Sequence, residues 1–118
     1  MALSIQSFVN DEQHLFEYMG LQIYISRKDR EPLVFYGHVE NSEKLSKIIV
    51  HLENGLFKGF EMAPVEGAPE LDDKDKQKLM DIIDYNLNDI IKYWIDFFVY
   101  HKEVPFEKIL KPIQNNNS

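Results

Sequence analysis

Apolar and polar residues alternate along the first half of the chain, and this pattern predicts β-strands. Leu21, Ile23 and Ile25 recur with the period of two that is typical of a half-buried strand. Three further runs are rich in β-branched and aromatic residues, which favour pleated structure. The four predicted strands are Leu21–Ser26, Leu33–Val39, Lys47–Glu53 and Leu56–Met62. Residues 21–62 are therefore expected to form an antiparallel meander of three or four strands.

Asn54-Gly55 is the strongest turn signal in the chain. Both residues tolerate the positive φ angles of a type I′ hairpin turn, whose twist matches the flanking strands. A two-residue loop at this point places Leu52 opposite Phe57 and His51 opposite Lys58.

The N-terminal segment allows two interpretations. Asn10 and Gln13 have the spacing of a helix capping box, which predicts a short helix over Asp11–Met19. The alternative is a strand over His14–Tyr18 that turns at Gly20. The sequence does not decide between the two.

The second half of the chain carries the pattern of a long helix. Two prolines and a glycine interrupt the strand pattern over residues 63–71, and Asp72 is then a suitable N-cap. From there to about Tyr100, apolar residues recur at steps of three or four, the spacing of one buried helical stripe. The stripe consists of Leu79, Ile83, Leu87, Ile90, Trp94 and Phe98. We therefore expect an α+β fold in which the meander packs against one long C-terminal helix.

This helix is too long for the size of the domain. Its ~28 residues span ~42 Å, whereas a compact chain of 118 residues is roughly 35 Å across. The helix must bend, or residues 104–113 must fold back over its end, or a second chain must cover it. Residues 1–113 are expected to form a single α+β domain, and residues 114–118 a disordered polar tail.

Composition narrows the classes of function. The net charge of −7 argues against nucleic-acid binding, because phosphate recognition normally needs a basic surface. The absence of cysteine excludes disulfides, thiolate nucleophiles and cysteine-based zinc sites. The chain shows no signal-peptide pattern over Met1–Val9 and no apolar run long enough for a membrane span. A cytoplasmic location is the expectation.

No arrangement of polar residues matches a catalytic or cofactor motif. The chain has no nucleophile elbow, no phosphate-binding loop and no dinucleotide fingerprint. His38 and His51 are predicted on neighbouring strands, where they could form a two-histidine metal or acid–base site. The charged segment Arg27–Pro32 is predicted to be a turn, because its proline cannot donate to a strand, and its basic residues could contact an anion. We expect no cofactor and no metal, and we favour a protein that is not an enzyme.

The far end of the predicted helix has almost no polar face. Large aromatic residues bury much area at little entropic cost and are common interface anchors. The alternative is that the sheet and the C-terminal segment of the same chain cover them. The candidate binding residues are Tyr93, Trp94, Phe97, Phe98 and Tyr100, of which the two tyrosines are expected nearest the edge.

Several segments resemble the small bacterial family called domain of unknown function 4160. The similar segments are FEYMGLQIYIS at 16–26, REP at 30–32, His38-Val39, and WIDFF at 94–98, within a resemblance that covers roughly residues 16–110. The family typically has a histidine pair in an EPxHxH-like stretch, of which only His38 is present here. The resemblance implies a short meander followed by one long helix, and a partner protein of the kind found in toxin–antitoxin-like pairs.

The leading interpretation is a small cytoplasmic protein-binding or regulatory protein. Its partner is either another protein, as in a toxin–antitoxin or defence-related pair, or a second copy that forms a homodimer through the C-terminal end of the long helix. The alternative is a small metal-dependent hydrolase or nuclease-like toxin that uses His38 and His51.

Overall fold

Five strands and two helices make up the part of the chain that the computed structural model describes, residues 12–30, 33–53, 56–103 and 108–113. The elements are β1 (Glu12–Tyr18), β2 (Leu21–Arg30), β3 (Leu33–Val39), β4 (Leu45–Glu53), β5 (Leu56–Pro64), α1 (Asp73–Tyr85) and α2 (Leu87–Phe98). Each strand pairs antiparallel with the next, in the order β1-β2-β3-β4-β5. The α+β class is confirmed, but the prediction of three to four strands is wrong. The predicted tail, residues 114–118, lies outside the described residues.

The additional strand is β1, at one edge of the sheet. Its pairing with β2 shifts register between His14 and Phe16, which marks a bulge. Leu15 and Phe16 are consequently both half-buried, and the alternation that identifies a strand is interrupted. The helical interpretation of Asp11–Met19 is wrong, and Asn10 of the proposed capping box lies outside the described residues.

Strand β2 continues through the charged segment that was expected to turn. It extends to Arg30, which pairs with Leu33 of β3 after a register shift. The predicted turn over Arg27–Pro32 is therefore wrong for its first four residues, because pairing with β3 outweighs the weak strand propensity of charged residues. Residues 31–32 lie outside the described part of the chain, as do the side chains that could contact an anion.

The β4–β5 hairpin agrees with one of the two predicted cross-strand pairs. Leu52 lies opposite Phe57 as predicted, whereas His51 pairs with Gly59 rather than with Lys58. The register shift between these pairs is a bulge on β5, and it is why the second predicted pair is wrong. The two residues of the predicted turn lie outside the described residues.

The predicted single long helix is wrong, because two shorter helices meet at Asn86. The backbone of Asn86 leaves the helical range at φ −101° and ψ 8°. Its side-chain Nδ2 donates to the carbonyl oxygen of Ile82 at 2.8 Å, so the asparagine competes with the main chain for a helical acceptor. The apolar stripe continues through the break, and the periodicity of the sequence therefore does not reveal it.

The helices cover one face of the sheet, which we call the inner face, and α1 packs over β2, β3 and β4. The helix layer approaches the sheet closely at Gly37 of β3. A Cβ atom there would lie 3.2 Å from Cδ2 of Leu79 and 3.3 Å from methyl carbons of Leu21 and Leu71. The missing side chain thus lets α1 and the preceding loop approach the sheet.

Residues 108–113, which we call the C-terminal strap, complete the core. Ile109 and Leu110 are only 1% and 3% exposed and belong to the same buried cluster as Trp94. The amide of Asn86 holds the strap, because Nδ2 donates to Lys111 O at 2.8 Å and Lys111 N–H donates to Oδ1 at 2.9 Å. The predicted long helix is therefore broken at Asn86, and the strap of the same chain covers it. Residues 104–107 lie outside the described residues.

Candidate partner-binding site

The carboxyl end of α2 closes in a tight turn at His101. Tyr100 N–H donates to Ile95 O at 3.2 Å, and Lys102 N–H donates to Asp96 O at 2.9 Å. His101 adopts a positive φ of 54°, the left-handed conformation that commonly ends helices. This turn directs Tyr100 away from the core, and its side chain is 64% exposed.

Three aromatic rings connect this turn to the interior. Trp94 is 3% exposed, and its ring centroid lies 5.0 Å from that of Phe98. Phe97 meets Phe98 edge to face at 4.9 Å. The indole N–H of Trp94 has no hydrogen-bond partner among the described residues. The rings therefore form a continuous apolar stack from the core to the surface.

An open groove of about 310 Å³ lies at the outer end of this stack. It is lined by Phe97, Phe98, His101, Lys102 and Glu103. The ammonium of Lys102 lies 5.7 Å from the ring centroid of Tyr100, within the range of a cation–π contact. The groove thus combines apolar walls with a charged rim, the arrangement found in many protein interfaces.

The five predicted binding residues differ in how accessible they are. Trp94 is buried, Tyr93, Phe97 and Phe98 are half-buried, and Tyr100 is exposed. The same chain therefore encloses Trp94, which supports the others from inside. Trp94 is therefore not available to a partner without disruption of the core.

The structure does not bring His38 and His51 together. Both lie on the outer face of the sheet, but Leu45, which pairs with His38, precedes His51 by six residues of β4, or ~20 Å. Nε2 of His38 lies 2.7 Å from Ser42 O, and Nε2 of His51 lies 2.9 Å from Glu61 Oε1. Among the described residues, no group of three potential ligands could hold a metal ion. The metal-dependent alternative therefore has no shared histidine site.

A second cleft, of about 440 Å³, lies beside the β4–β5 hairpin. It is lined by His51, Leu52, Glu53 and Lys58. The side chains of the His51–Glu61 pair are 44% and 61% exposed, and the Lys58–Glu53 contact is long at 3.8 Å. Such exposed pairs contribute little to stability, and they lack the shielding from water on which electrostatic catalysis depends.

The outer face also carries a polar chain that the sequence did not indicate. His14 Nε2 lies 2.6 Å from Gln22 Oε1, and Gln22 Nε2 donates to Glu40 Oε1 at 3.1 Å. Because an amide oxygen only accepts, His14 carries a proton on Nε2 in this arrangement. The ring of His14 rests edge-on against Tyr24 at 5.0 Å, and burial raises the pKa of the Tyr24 phenol above 10.0. These contacts depend on the pairing of β1 with β2, which the sequence left open.

Comparison with known proteins gives no family for this chain. No family model, no curated protein and no solved structure matches it. The resemblance to the domain of unknown function 4160 family therefore stays a prediction. No helix in the described ranges is long and apolar enough to cross a membrane. The end of α2 joins exposed apolar side chains, an open groove and a charged rim.

Proposed function

We propose that the protein is a small cytoplasmic protein-binding or regulatory protein that acts through the carboxyl end of α2. The observation that carries the proposal is the exposed apolar surface, in which Tyr100 and Val99 are 64% and 51% exposed beside the groove at Phe97 and Phe98. Single exposed apolar residues are ordinary on protein surfaces. A contiguous set around a groove is typical of a contact site.

The rigidity of the site supports the same proposal. Phe98 packs on the buried ring of Trp94, and Phe97 packs on Phe98. Rings held in this way lose little conformational freedom when a partner binds, so less of the interaction energy is spent on ordering.

Two narrower forms of the proposal remain, and each has a different partner. Membership of a toxin–antitoxin or defence-related pair rests on the family resemblance alone. A homodimer through the end of α2 would use the same surface on both copies.

Photo-cross-linking in the cells that produce the chain tests the proposal. Tyr100→p-benzoylphenylalanine is expected to give one discrete cross-linked species, because the ring projects into the proposed contact. The matched control is Met19→p-benzoylphenylalanine, since Met19 is 67% exposed in the β1–β2 turn and its carbonyl accepts from Lys78 of α1, away from α2.

The same cross-link should disappear when Phe97→Ser is added, because that change removes an apolar wall of the groove. Equal yields of products from positions 19 and 100, or no product from position 100, would contradict a binding role for this surface.

A further inference from the structure

Helix α2 is attached to the rest of the molecule through a small interface. Helix α1 packs over β2, β3 and β4, and no strand in the described ranges contacts α2 as extensively as these three contact α1. Within α2 only Ile90 and Trp94 are buried, and both belong to the cluster that contains Ile109 and Leu110 of the C-terminal strap. The strap therefore supplies part of the interface that keeps α2 in place.

The junction between the two helices has the properties of a hinge. Asn86 is non-helical, with φ −101° and ψ 8°, and helical residues lie directly before and after it. Hinge motions are absorbed by a few residues at the ends of elements. Rotation at Asn86 would move the whole of α2, with the groove at its carboxyl end, relative to α1 and the sheet.

The strap is held by one polar side chain. The amide of Asn86 makes two hydrogen bonds to the backbone of Lys111, at 2.8 and 2.9 Å. No backbone–backbone hydrogen bond joins residues 108–113 to another part of the described chain. The strap can therefore detach without breaking a helix or a strand pairing, which is typical of segments that open locally.

The closed arrangement leaves a buried donor without a hydrogen bond. The indole N–H of Trp94 has no partner among the residues that the structure describes, although this side chain is only 3% exposed. Such a donor costs free energy in the closed state, and contact with water in an open state would recover it. Exposure of Ile109 and Leu110 opposes opening, so the closed state remains the major one.

We infer that α2 and the C-terminal strap form a hinged arm, which opens at Asn86 while the sheet and α1 stay folded. Opening takes Trp94 out of the core and, with it, the ring of Phe98 that stacks on Trp94 at 5.0 Å. The strap thereby controls the order of the surface at the end of α2. This consequence rests on the proposed function, whereas the opening itself does not.

Amide hydrogen exchange of the full wild-type chain tests the opening, in urea concentrations below the unfolding transition. The N–H groups of Lys111 and Ile90, which bond to Asn86, are expected to exchange at least roughly tenfold faster than that of Phe35 in β3, with a weaker dependence on urea. Ile90 exchanges with the strap because a detached helix of 12 residues is marginal in water.

Two results of the exchange measurement would overturn the hinged arm. The first is one common rate and urea dependence for Lys111, Ile90 and Phe35, which would make the molecule a single cooperative unit. The second is fast exchange of Lys111 while Ile90 exchanges with Phe35, which would reduce the motion to fraying of the chain end.

A charged substitution in the strap provides the second measurement. Leu110→Asp is expected to populate the open arm, because an isolated carboxylate is not tolerated at a position that is 3% exposed. Acrylamide should then quench the fluorescence of Trp94, the single tryptophan of the chain, severalfold more strongly, while the amide signals of the sheet stay dispersed. The matched control is Leu56→Asp, the same change at a leucine that is 62% exposed, and it should behave as the wild-type chain does.

Unfolding of the whole chain by Leu110→Asp, or unchanged quenching of Trp94, would overturn the hinged arm. The cross-link from position 100 tests the consequence for binding: Leu110→Asp should weaken it, and Leu56→Asp should leave it intact. A cross-link that persists in Leu110→Asp would overturn the control of this surface by the strap. Absence of the cross-link in the wild-type background would overturn the proposed function, and exchange and quenching would still decide the hinged arm.

Discussion

The side chain of Asn86 connects three segments, namely α1, α2 and the C-terminal strap. It lies where α1 ends and α2 begins, and it is only 2% exposed. Its amide bonds to Ile82 O and, in both directions, to the backbone of Lys111. Burying the amide without hydrogen bonds would cost free energy, and these bonds therefore couple the helix junction to the strap.

Asn86→Ala is expected to lower the free energy of unfolding by about 3 kcal/mol, because it removes three hydrogen bonds of a buried side chain, one to Ile82 O and two to the backbone of Lys111. Urea denaturation measures the loss. Asn88→Ala, an exposed change in α2, is the control and should stay within about 0.5 kcal/mol of the wild-type chain. Equal stability of the two variants would contradict the role assigned to Asn86.

The phenol of Tyr24 is expected to make the protein less stable at alkaline pH. Burial raises the pKa of its phenol above 10.0 in the folded chain. The unfolded chain, in which the phenol has its ordinary pKa of 10.0, loses the phenol proton at a lower pH than the folded chain does. The free energy of unfolding therefore falls as the pH rises above 10.0 through the raised pKa of the folded chain. Below pH 10.0 the phenol is protonated in both states, and its contribution to stability is complete. In urea titrations from about pH 9 to about pH 11, Tyr24→Phe should flatten this decline. Tyr100→Phe, which changes an exposed tyrosine, should retain it; the same slope in both variants would show that Tyr24 is not responsible.

At the scale of elements, local patterns identified β3, β4 and most of the hairpin, because these segments are rich in β-branched and aromatic residues. They did not identify β1 uniquely, because the bulge near Leu15 disrupts its period. They also missed the end of α1, because the break depends on bonds from Asn86 to a segment 25 residues away. The aromatic residues of the candidate site were predicted together, because the far end of the predicted helix has almost no polar face. The burial of Trp94 was not, since it depends on tertiary packing with the strap and the sheet.

The contact between α1 and β3 is tested at Gly37. Gly37→Ala is expected to destabilise the protein by about 1–2 kcal/mol, because the new methyl group would crowd Leu79, Leu21 and Leu71 at 3.2–3.3 Å. A double-mutant cycle with Leu79→Val measures the coupling. Leu79→Val should lower the free energy of unfolding less in the Gly37→Ala background than in the wild-type chain. Additive losses in the double variant would contradict direct crowding.

At the scale of the whole molecule, the fold is thin, with extents of 40 × 38 × 23 Å. Its helices lie on the inner face of the sheet and leave the end of α2 at the surface. The proposed binding surface is therefore small relative to the molecule, and it lies at one end of one helix rather than on the sheet.

The isolated chain is expected to be a monomer. Light scattering after size exclusion should give a mass of 14.0 kDa, since the net charge of −7 on each copy opposes self-association. A mass twice this value that falls to 14.0 kDa in Tyr100→Glu would instead identify the homodimer.

The C-terminal strap has a consequence for how the chain matures during translation. Ile109 and Leu110 fill the interior, and Lys111 satisfies Asn86, so a nascent chain that still holds these residues inside the ribosome has a gap beside Trp94. Because the sheet pairs only strands that are adjacent in sequence, it can form while synthesis continues. The interior then closes in a separate step, when residues 108–113 reach it, and until that step the apolar side chains beside Trp94 stay exposed, as in the folding intermediates that aggregate readily.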